Sequence, residues 1–556
     1  MKDAGMDHSR DLTRRIDLTA APGTGPARDR RPVYLDRMPP CNDACPAGEN
    51  IQGWLELAQA GRYREAWQAL VRDNPLPAVH GRVCYHPCES SCNRRALDTE
   101  VSIHAVERFL GDLANREGWE YVAGPPSGRR VLVVGAGPSG LSAAYHLARS
   151  GHTVEIREAQ PVAGGMLHFG IPAYRLPREA LATEVARIEA MGVGITLSHR
   201  VEDLLEERIE GGFDAVYLAV GAHLAKRVDI PARDAARIFD AVSVLRDREL
   251  GGAIELGRRV VVYGGGNTAM DVARTARRLG ADEPIIVYRR DRAHMPAHGF
   301  EADEALAEGV TIRWLSSITE VSGSRVTVER MELDDEGRPR PTGEVETLEA
   351  DAVVLAVGQE ADTGFLRGVP GLEFFADGAL RVGADTSTGH AGIFAGGDLT
   401  PGEKTVAAAV GQGKRAARHI HAWLDGREYE APSRPPGVTF DMLHLPLFAV
   451  AEASEQPELP VPERTRSFTE LRAGLSESEA RYEARRCLSC GNCFECDHCY
   501  AACPEDAIVK LGPGRRYRFE YDRCTGCAVC FEQCPCHAIT MVAEPGATPP
   551  VPEVGR

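Results

Sequence analysis

Sixteen cysteines fall into two groups: Cys41, Cys45, Cys84, Cys88 and Cys92 near the start, and eleven more from Cys487 to Cys536, with none from Asn93 through Arg486. A secreted disulfide framework would spread its pairs through the fold, whereas tight CxxC spacings point to metal or redox centres. Cys493, Cys496, Cys499 and Cys503 read CxxCxxCxxxCP, and Cys524, Cys527, Cys530 and Cys534 repeat the pattern. Each run has the spacing that holds a [4Fe-4S] cube through thiolates, the fourth cysteine crossing to the other cube. Cys493, Cys496, Cys499 and Cys534 are therefore expected on one cluster, and Cys524, Cys527, Cys530 and Cys503 on the other. Zinc is the competing reading, but duplicated CP-terminated runs are not the paired CxxC of a zinc ribbon. Three cysteines are left over at this end. Cys536 has Glu505 as its counterpart in the first run and is expected to be a buried bystander. Cys487 and Cys490 form an extra CxxC directly ahead of the first run.

The cysteine-free middle carries a different chemistry. In "VLVVGAGPSGLSAAYHLARSGHTVEIREA" a strand runs into Gly135, Gly137, Pro138, Ser139 and Gly140, a helix follows, and a second strand ends at Glu158. Gly135 permits the tight turn, Gly137 lets backbone approach a pyrophosphate, and Gly140 lets the helix pack on the strand. The helix N-terminus offers N–H groups to phosphate, and Glu158 suits a ribose 2′-hydroxyl. In "VVVYGGGNTAMDVARTARRLGADEPIIVYRR" the turn is Gly264, Gly266, Asn267, Thr268 and Ala269, and the second strand ends in Arg289 and Arg290. Two guanidinium groups where the first motif has an acid would pair with a 2′-phosphate and select NADP(H). The alternative is that they solvate a strand end.

Stepping out to the elements, short apolar runs such as "FDAVYLAVG" and "DAVVLAVG" alternate with helical segments between Gly128 and Trp423, the signature of parallel α/β sheets with both faces covered. "ELDDEGRPRPTGEVE" (332–346) reads as a hairpin inside a domain, and the Pro-rich stretches between 428 and 465 read as a linker. The composition, 43% hydrophobic and 26% charged, is that of a globular protein, and a net charge of −17 disfavours nucleic acid or an anionic membrane as partner. No run approaches a membrane span, and the Arg-rich start lacks an apolar signal core, so a cytoplasmic protein is expected.

Two dinucleotide motifs in one chain, with "GGMLHFGIPAYRLP" (164–177), "GGGNTAMD", "VYRRDRAHMPA" and "IFAGGDLTPGEKTVAAAVGQGKRAA" (393–417), resemble the glutamate synthase small subunit and the N-terminal half of dihydropyrimidine dehydrogenase. The resemblance covers about residues 36 to 423. The cysteine tail, with "GPGRRYRFEYDRC" between its motifs, resembles the ferredoxin-like subunit of 2-oxoacid:ferredoxin oxidoreductases. Together they imply a multidomain chain: a disordered tail (1–35), an α-helical Fe-S domain (36–123), and an FAD-binding domain in two parts (128–245 and 349–425). A nested Rossmann-like NADP(H)-binding domain (246–348) splits that pair, and a linker (426–484) leads to an α+β 2[4Fe-4S] ferredoxin domain (485–545). The resemblance also places Gly164, Gly165, Gly397 and Asp398 against FAD and aims the helix N-terminus at Thr405 and Val406 toward the flavin. Relatives that reduce disulfides need a CxxC beside the flavin, which the cysteine-free middle excludes.

The resemblance further implies two clusters in the helical domain. Matching in order gives Cys45, Cys84, Cys88 and Glu107 to one, with Glu107 alternatively a salt-bridged residue at the edge of its helical stripe. The other keeps Cys41 and Cys92, and the upstream CxxC expected beside them is missing from "RRPVYLDRM". Cys487 and Cys490 follow a segment, "RSFTELRAGLSESEARYEARR", that resembles the stretch ahead of that CxxC in glutamate synthase small subunits. They either complete the second cluster or are free thiols beside the ferredoxin clusters. Arg515, Arg516 and Arg518 either meet an acidic partner or solvate a hairpin. The function expected is an NADPH:acceptor oxidoreductase subunit exchanging hydride between NADP(H) and FAD and single electrons with Fe-S clusters. Its partner would be a larger oxidoreductase subunit or a soluble ferredoxin, in a hetero-oligomer. A glutamate synthase small subunit and an electron-wiring scaffold without its own NADP(H) turnover are the alternatives.

Overall fold

A computed structural model describes residues 28–226, 230–233 and 237–545. Two five-stranded parallel sheets occupy the middle. The first has the order Ile393–Ala395, Ala215–Leu218, Arg130–Val134, Thr153–Arg157, Gly194–Thr196. Its central strands are buried on both faces, as their unbroken valine and leucine content requires. The second sheet, Thr311–Arg313, Glu283–Val287, Arg259–Tyr263, Ala352–Leu355, Arg237–Asp240, is formed from chain lying between the strands Ala215–Leu218 and Ile393–Ala395 of the first. The expected hairpin is present: Arg325–Leu333 pairs antiparallel with Pro339–Glu349.

The helices Ile51–Gln59, Tyr63–Leu70, Pro77–Val83 and Ile103–Glu117 form the N-terminal domain around Trp54, Trp67, Leu76 and Leu110. Pro77–Val83 and Ile103–Glu117 cross at glycines: a Cβ on Gly81 would meet Arg108 N at 2.4 Å, and one on Gly111 would meet Ala78 N at 2.4 Å. This backbone-to-backbone contact brings Glu107 up to the chain around Cys84. Glu184 of the flavin domain accepts from Ala78 N (2.7 Å) and Val79 N (3.1 Å), tying the helical domain to its neighbour at a helix N-terminus.

Two expectations are corrected. The tail expected to be disordered through residue 35 is ordered from Arg28. Arg30–Tyr34 pairs antiparallel with Ile539–Ala543, and Arg28 is buried in ion pairs with Glu544. The strand was hidden because five residues, three of them Arg or Pro, carry too little apolar alternation to register. Residues 1–27 of that expected tail lie outside the described residues. The segment 426–484 is no simple linker either. It crosses the flavin and NADP-side domains, where Phe468 lies under Arg248 (4.3 Å to the ring) and Arg472 pairs with Glu304 (2.8 Å). Glu470 is held by Arg82 and Arg108 of the helical domain (2.7 and 2.9 Å). The strap ends in the helix Glu477–Arg485, started by a Ser476–Glu479 capping box and packed on Ile51–Gln59 and Ile103–Glu117.

Candidate functional site

A single cleft of about 870 Å³ runs between the two parallel sheets and takes in both glycine turns. Gly135 sits at φ +105°, and a Cβ on it would meet Ala219 O at 2.5 Å; a Cβ on Gly140 would meet Gly135 O at 1.9 Å. Both are closed to any larger residue. A Cβ at Gly137 or Gly266 meets no neighbour within 4 Å, and both residues line the cleft. Here the missing side chain leaves room for a ligand rather than for the fold, which is the fit a pyrophosphate needs.

Pro138, Ser139, Glu158, Gly165, Gly397, Asp398, Thr405 and Val406 also line the cleft. Gly140 and Gly164 stand behind the wall. Glu158 is buried, and its two oxygens accept from Ala136 N (2.7 Å) and Gln160 N (2.8 Å); burial raises its pKa against those bonds. It thus anchors the loop as well as facing the cleft. Burial also raises Asp398, opposed by the Lys404 ammonium. Thr405 caps the helix Val406–Leu424 by accepting from Ala408 N, so the helix points its N-terminus into the cleft.

On the other side, Gly264, Asn267, Thr268, Arg289 and Arg290 line the cleft, while Ala269 is buried in the helix core. Among the described residues neither arginine enters an ion pair, and the buried Arg290 Nε has no hydrogen-bond partner. Sequence reading missed Gly265, where a Cβ would meet the Tyr288 ring at 2.3 Å, and Gln359, whose Nε2 donates to Thr268 Oγ1 at 3.2 Å. It also missed Tyr85, which comes from the helical domain, lines the cleft and stacks on His298 at 3.7 Å. Val83 lines it too. Cys84 lies between these two.

The cysteines gather in four places. Cys503, Cys524, Cys527 and Cys530 line one small pocket. Cys493, Cys499 and Cys534 share the core of the C-terminal domain, where the charges of Cys534 and Cys496 help raise Cys493. Cys45, Cys84 and Cys88 lie close enough for their charges to perturb one another, and Glu107 perturbs both Cys45 and Cys84. Cys41, Cys92, Cys487 and Cys490 line a fourth pocket. Burial holds the thiols of the last two groups up, Cys45 and Cys487 to about 12 and Cys490 to about 11. Metal ions reverse that preference, since a coordinating thiol is deprotonated outright.

Glu107 is buried, and its carboxylate accepts from Asn74 Nδ2 at 2.8 Å, an amide it shares with Glu49 at 3.0 Å. The salt-bridged alternative does not hold among the described residues. Its nearest cation is His80 at 3.8 Å, which burial holds down at about 3 and therefore neutral. Burial first, then the Glu49 charge, raises Glu107 well above the carboxylate range. A buried carboxyl group with no cationic partner among the described residues, beside three thiols, suits iron, which would hold it deprotonated as it does the thiols. Cys536 is buried with its Sγ 3.8 Å from Cys534 Sγ, a weak hydrogen bond that is the largest cause holding Cys534 down at about 6.

The chain is similar in sequence to known proteins over both its middle and its cysteine-bearing ends. Residues 34–119 match the family described as dihydropyrimidine dehydrogenase domain II, 4Fe-4S cluster, and residues 492–538 match the 4Fe-4S dicluster domain. The chain is 38% identical over 498 residues to the NADP(+)-dependent formate dehydrogenase subunit beta of Moorella thermoacetica, covering 81% of this chain and 70% of that one. It is 34% identical over 525 residues to the NADPH-Fe(3+) oxidoreductase subunit beta of Geobacter sulfurreducens (83% and 77% covered). It is 33% identical over 419 residues to the Escherichia coli glutamate synthase [NADPH] small chain (70% and 89% covered). No helix among the described residues is long and apolar enough to cross a membrane. With residues 129–413, more than half its length, matching the pyridine nucleotide-disulphide oxidoreductase family, the chain belongs to that family as an FAD- and iron–sulfur-binding oxidoreductase.

Proposed function

We propose that the chain is the NADP(H)-linked subunit of a larger electron-transfer assembly, built as two nested dinucleotide domains, that connects hydride exchange in the cleft to iron–sulfur centres and a partner. Bound FAD supplies the exchange between a hydride pair and single electrons, chemistry that amino-acid side chains lack. The chain's own residues bind and align. Gly135, Gly137 and the helix behind Pro138 hold one pyrophosphate, with Glu158 at its ribose. Gly264, Gly266, Asn267 and Thr268 hold the other, with Arg289 and Arg290 at a 2′-phosphate. Gly165, Gly397 and Asp398 line the flavin side. The helix end at Thr405 and Val406 would offer N–H groups to negative charge on a flavin bound in the cleft. Cys45, Cys84, Cys88 and Glu107 hold the cluster beside the cleft, and the eight cysteines of the two CP-terminated runs hold the C-terminal pair.

The observation that carries this reading is the reach of the helical domain into the cleft: Val83 and Tyr85 form part of its wall, and Cys84 sits between them. A centre held there is next to the common cleft, and no side-chain acid or base is needed in between. Two beta subunits similar to this chain are named for NADP(+)-dependent and NADPH-linked reactions, which supports both the nucleotide and a partner subunit. Anaerobic NADPH added to the purified chain should bleach the flavin and then reduce an artificial dye. A flavin that stays oxidised would leave the wiring-scaffold reading instead.

A further inference from the structure

We propose that Cys41, Cys92, Cys487 and Cys490 bind one [4Fe-4S] cluster assembled from opposite ends of the chain. The inference rests on the reading that the helical domain carries clusters, and it supplies the two ligands that the domain's own sequence lacks.

Convergence is the first ground. The four cysteines line one pocket whose remaining wall is largely apolar, including Pro39, Pro40, Leu55, Val101, Ile103 and Leu488. Cys41 and Cys490 are buried. Cys487 packs against the core of the helical domain together with Cys45 and Cys92. The C-terminal runs have a separate core of their own, made of Cys499, Cys530, Cys534 and their neighbours. Cys487 therefore leaves the domain it is continuous with and joins another, while Cys490 packs with Val438, Leu443 and Leu488 beside it.

Loop geometry is the second, independent ground. In the C-terminal run starting at Cys524, the residue two positions on, Gly526, is left-handed at φ +73° and donates its N–H to Cys524 Sγ at 3.4 Å. Cys84 repeats this: His86 is at φ +51° and donates to Cys84 Sγ at 3.4 Å. Cys487 does the same, with Ser489 at φ +49° and its N–H 3.4 Å from Cys487 Sγ. A non-glycine residue held left-handed costs of order 1 kcal/mol and persists where its surroundings fix it. Two free thiols have no use for that turn, whereas thiolate ligands use the N–H···S bond it makes. Cys490 Sγ also accepts from Asn93 Nδ2 at 3.4 Å, a donor from beside Cys92.

The loop is anchored on both flanks. Arg486, buried, donates to Thr99 O (2.8 Å) and Glu100 O (2.8 Å) and pairs with Glu483 (2.9 Å) and Asp98 (3.2 Å), so the residue before Cys487 is bolted to the chain just after Cys92. After Cys490, Gly491 sits at φ +78° where a Cβ would meet Arg37 Cβ at 2.4 Å, and its N–H reaches Cys536 O. The site thus stands between the centre of Cys45, Cys84 and Cys88 and the C-terminal pair. Cys41 stands one helical turn ahead of Cys45, and only Gly491 and Asn492 separate Cys490 from Cys493.

The test is iron counting on anaerobically purified full-length chain. The wild type should hold about sixteen irons, four per cube. Cys487→Ser/Cys490→Ser and Cys41→Ser/Cys92→Ser should each lose about four, and the quadruple variant should lose the same four rather than eight. FAD content and the dithionite-reduced paramagnetic signals of the C-terminal clusters serve as checks on folding. About twelve irons in the wild type by Mössbauer area, or full iron in the Cys487/Cys490 variant, would overturn the assignment even if every variant misfolds. A wild type with all its iron but a flavin inert to NADPH would overturn the functional reading and leave this cluster standing.

Discussion

Arg289 and Arg290 stand at the strand end where the first motif has Glu158, and under the proposed function this exchange of acid for two cations is what selects the nucleotide on each side. Replacing both with Gln should weaken NADPH by about 1.5 to 3 kcal/mol per charged hydrogen bond lost and leave NADH nearly unchanged; titration with both nucleotides reads the difference, and equal losses would refute it. Cys536 is more than the inert packing residue expected from its place in the repeat, because its sulfur contacts Cys534. Cys536→Ala should keep all its iron yet lower one cluster's reduction potential, since a hydrogen bond to a ligand sulfur favours the reduced, more negative state; a redox titration by paramagnetic resonance measures it. At this scale the sequence was most readable where residue type is the message, as at the glycines and the paired arginines. Glu158 shows the limit. Its acidity signalled a ribose, but its bonds to Ala136 and Gln160 depend on a loop path that spacing does not reveal.

Local elements are tuned to hold sulfur in place. The helix Glu477–Arg485 delivers Cys487, and its start depends on Ser476 accepting from Glu479 N while Glu479 accepts from Ser476 N. Ser476→Ala should cost about 1 kcal/mol and show as faster amide exchange confined to this helix, with the parallel sheets unaffected. Asp98 ties the same loop to both Arg94 and Arg486, and its pKa is held down at about 2, with hydrogen bonds from Arg94 and two backbone amides outweighing the opposing effect of burial. A carboxylate depressed when folded stabilises above its unfolded pKa and loses that contribution as pH falls through the folded one. Asp98→Asn should therefore lower the melting temperature at pH 7, and the gap to wild type should narrow as pH drops from about 4 toward 2. The strap that carries this helix was taken for a linker because proline content dominates its composition. What fixes it are single long-range contacts, Phe468 under Arg248 and Glu470 between Arg82 and Arg108, and these have no period to detect.

In the whole molecule, the helical domain is the junction. It reaches the nucleotide cleft through Tyr85, receives the strap, and sits beside a C-terminal domain whose last strand is completed by Arg30–Tyr34. Deleting the chain through Tyr34 should expose the edge of Ile539–Ala543, speed proteolysis of the C-terminal domain and release its iron first, while leaving the flavin bound; limited digestion with iron and flavin assays follows both. The parallel sheets were legible because their strands repeat a local pattern, whereas this pairing of termini joins residues that share no neighbourhood in sequence. It also imposes a schedule on biosynthesis. More than five hundred residues of synthesis separate Arg30 from its partner Ala543, so at roughly 5 to 20 residues per second the strand waits unpaired on the ribosome for about half a minute to two minutes. A bare strand left so long invites pairing with another nascent chain. The two arginines and the proline in "RRPVY" are the residue types that discourage such pairing, which gives this short segment a protective role before it has any structural one.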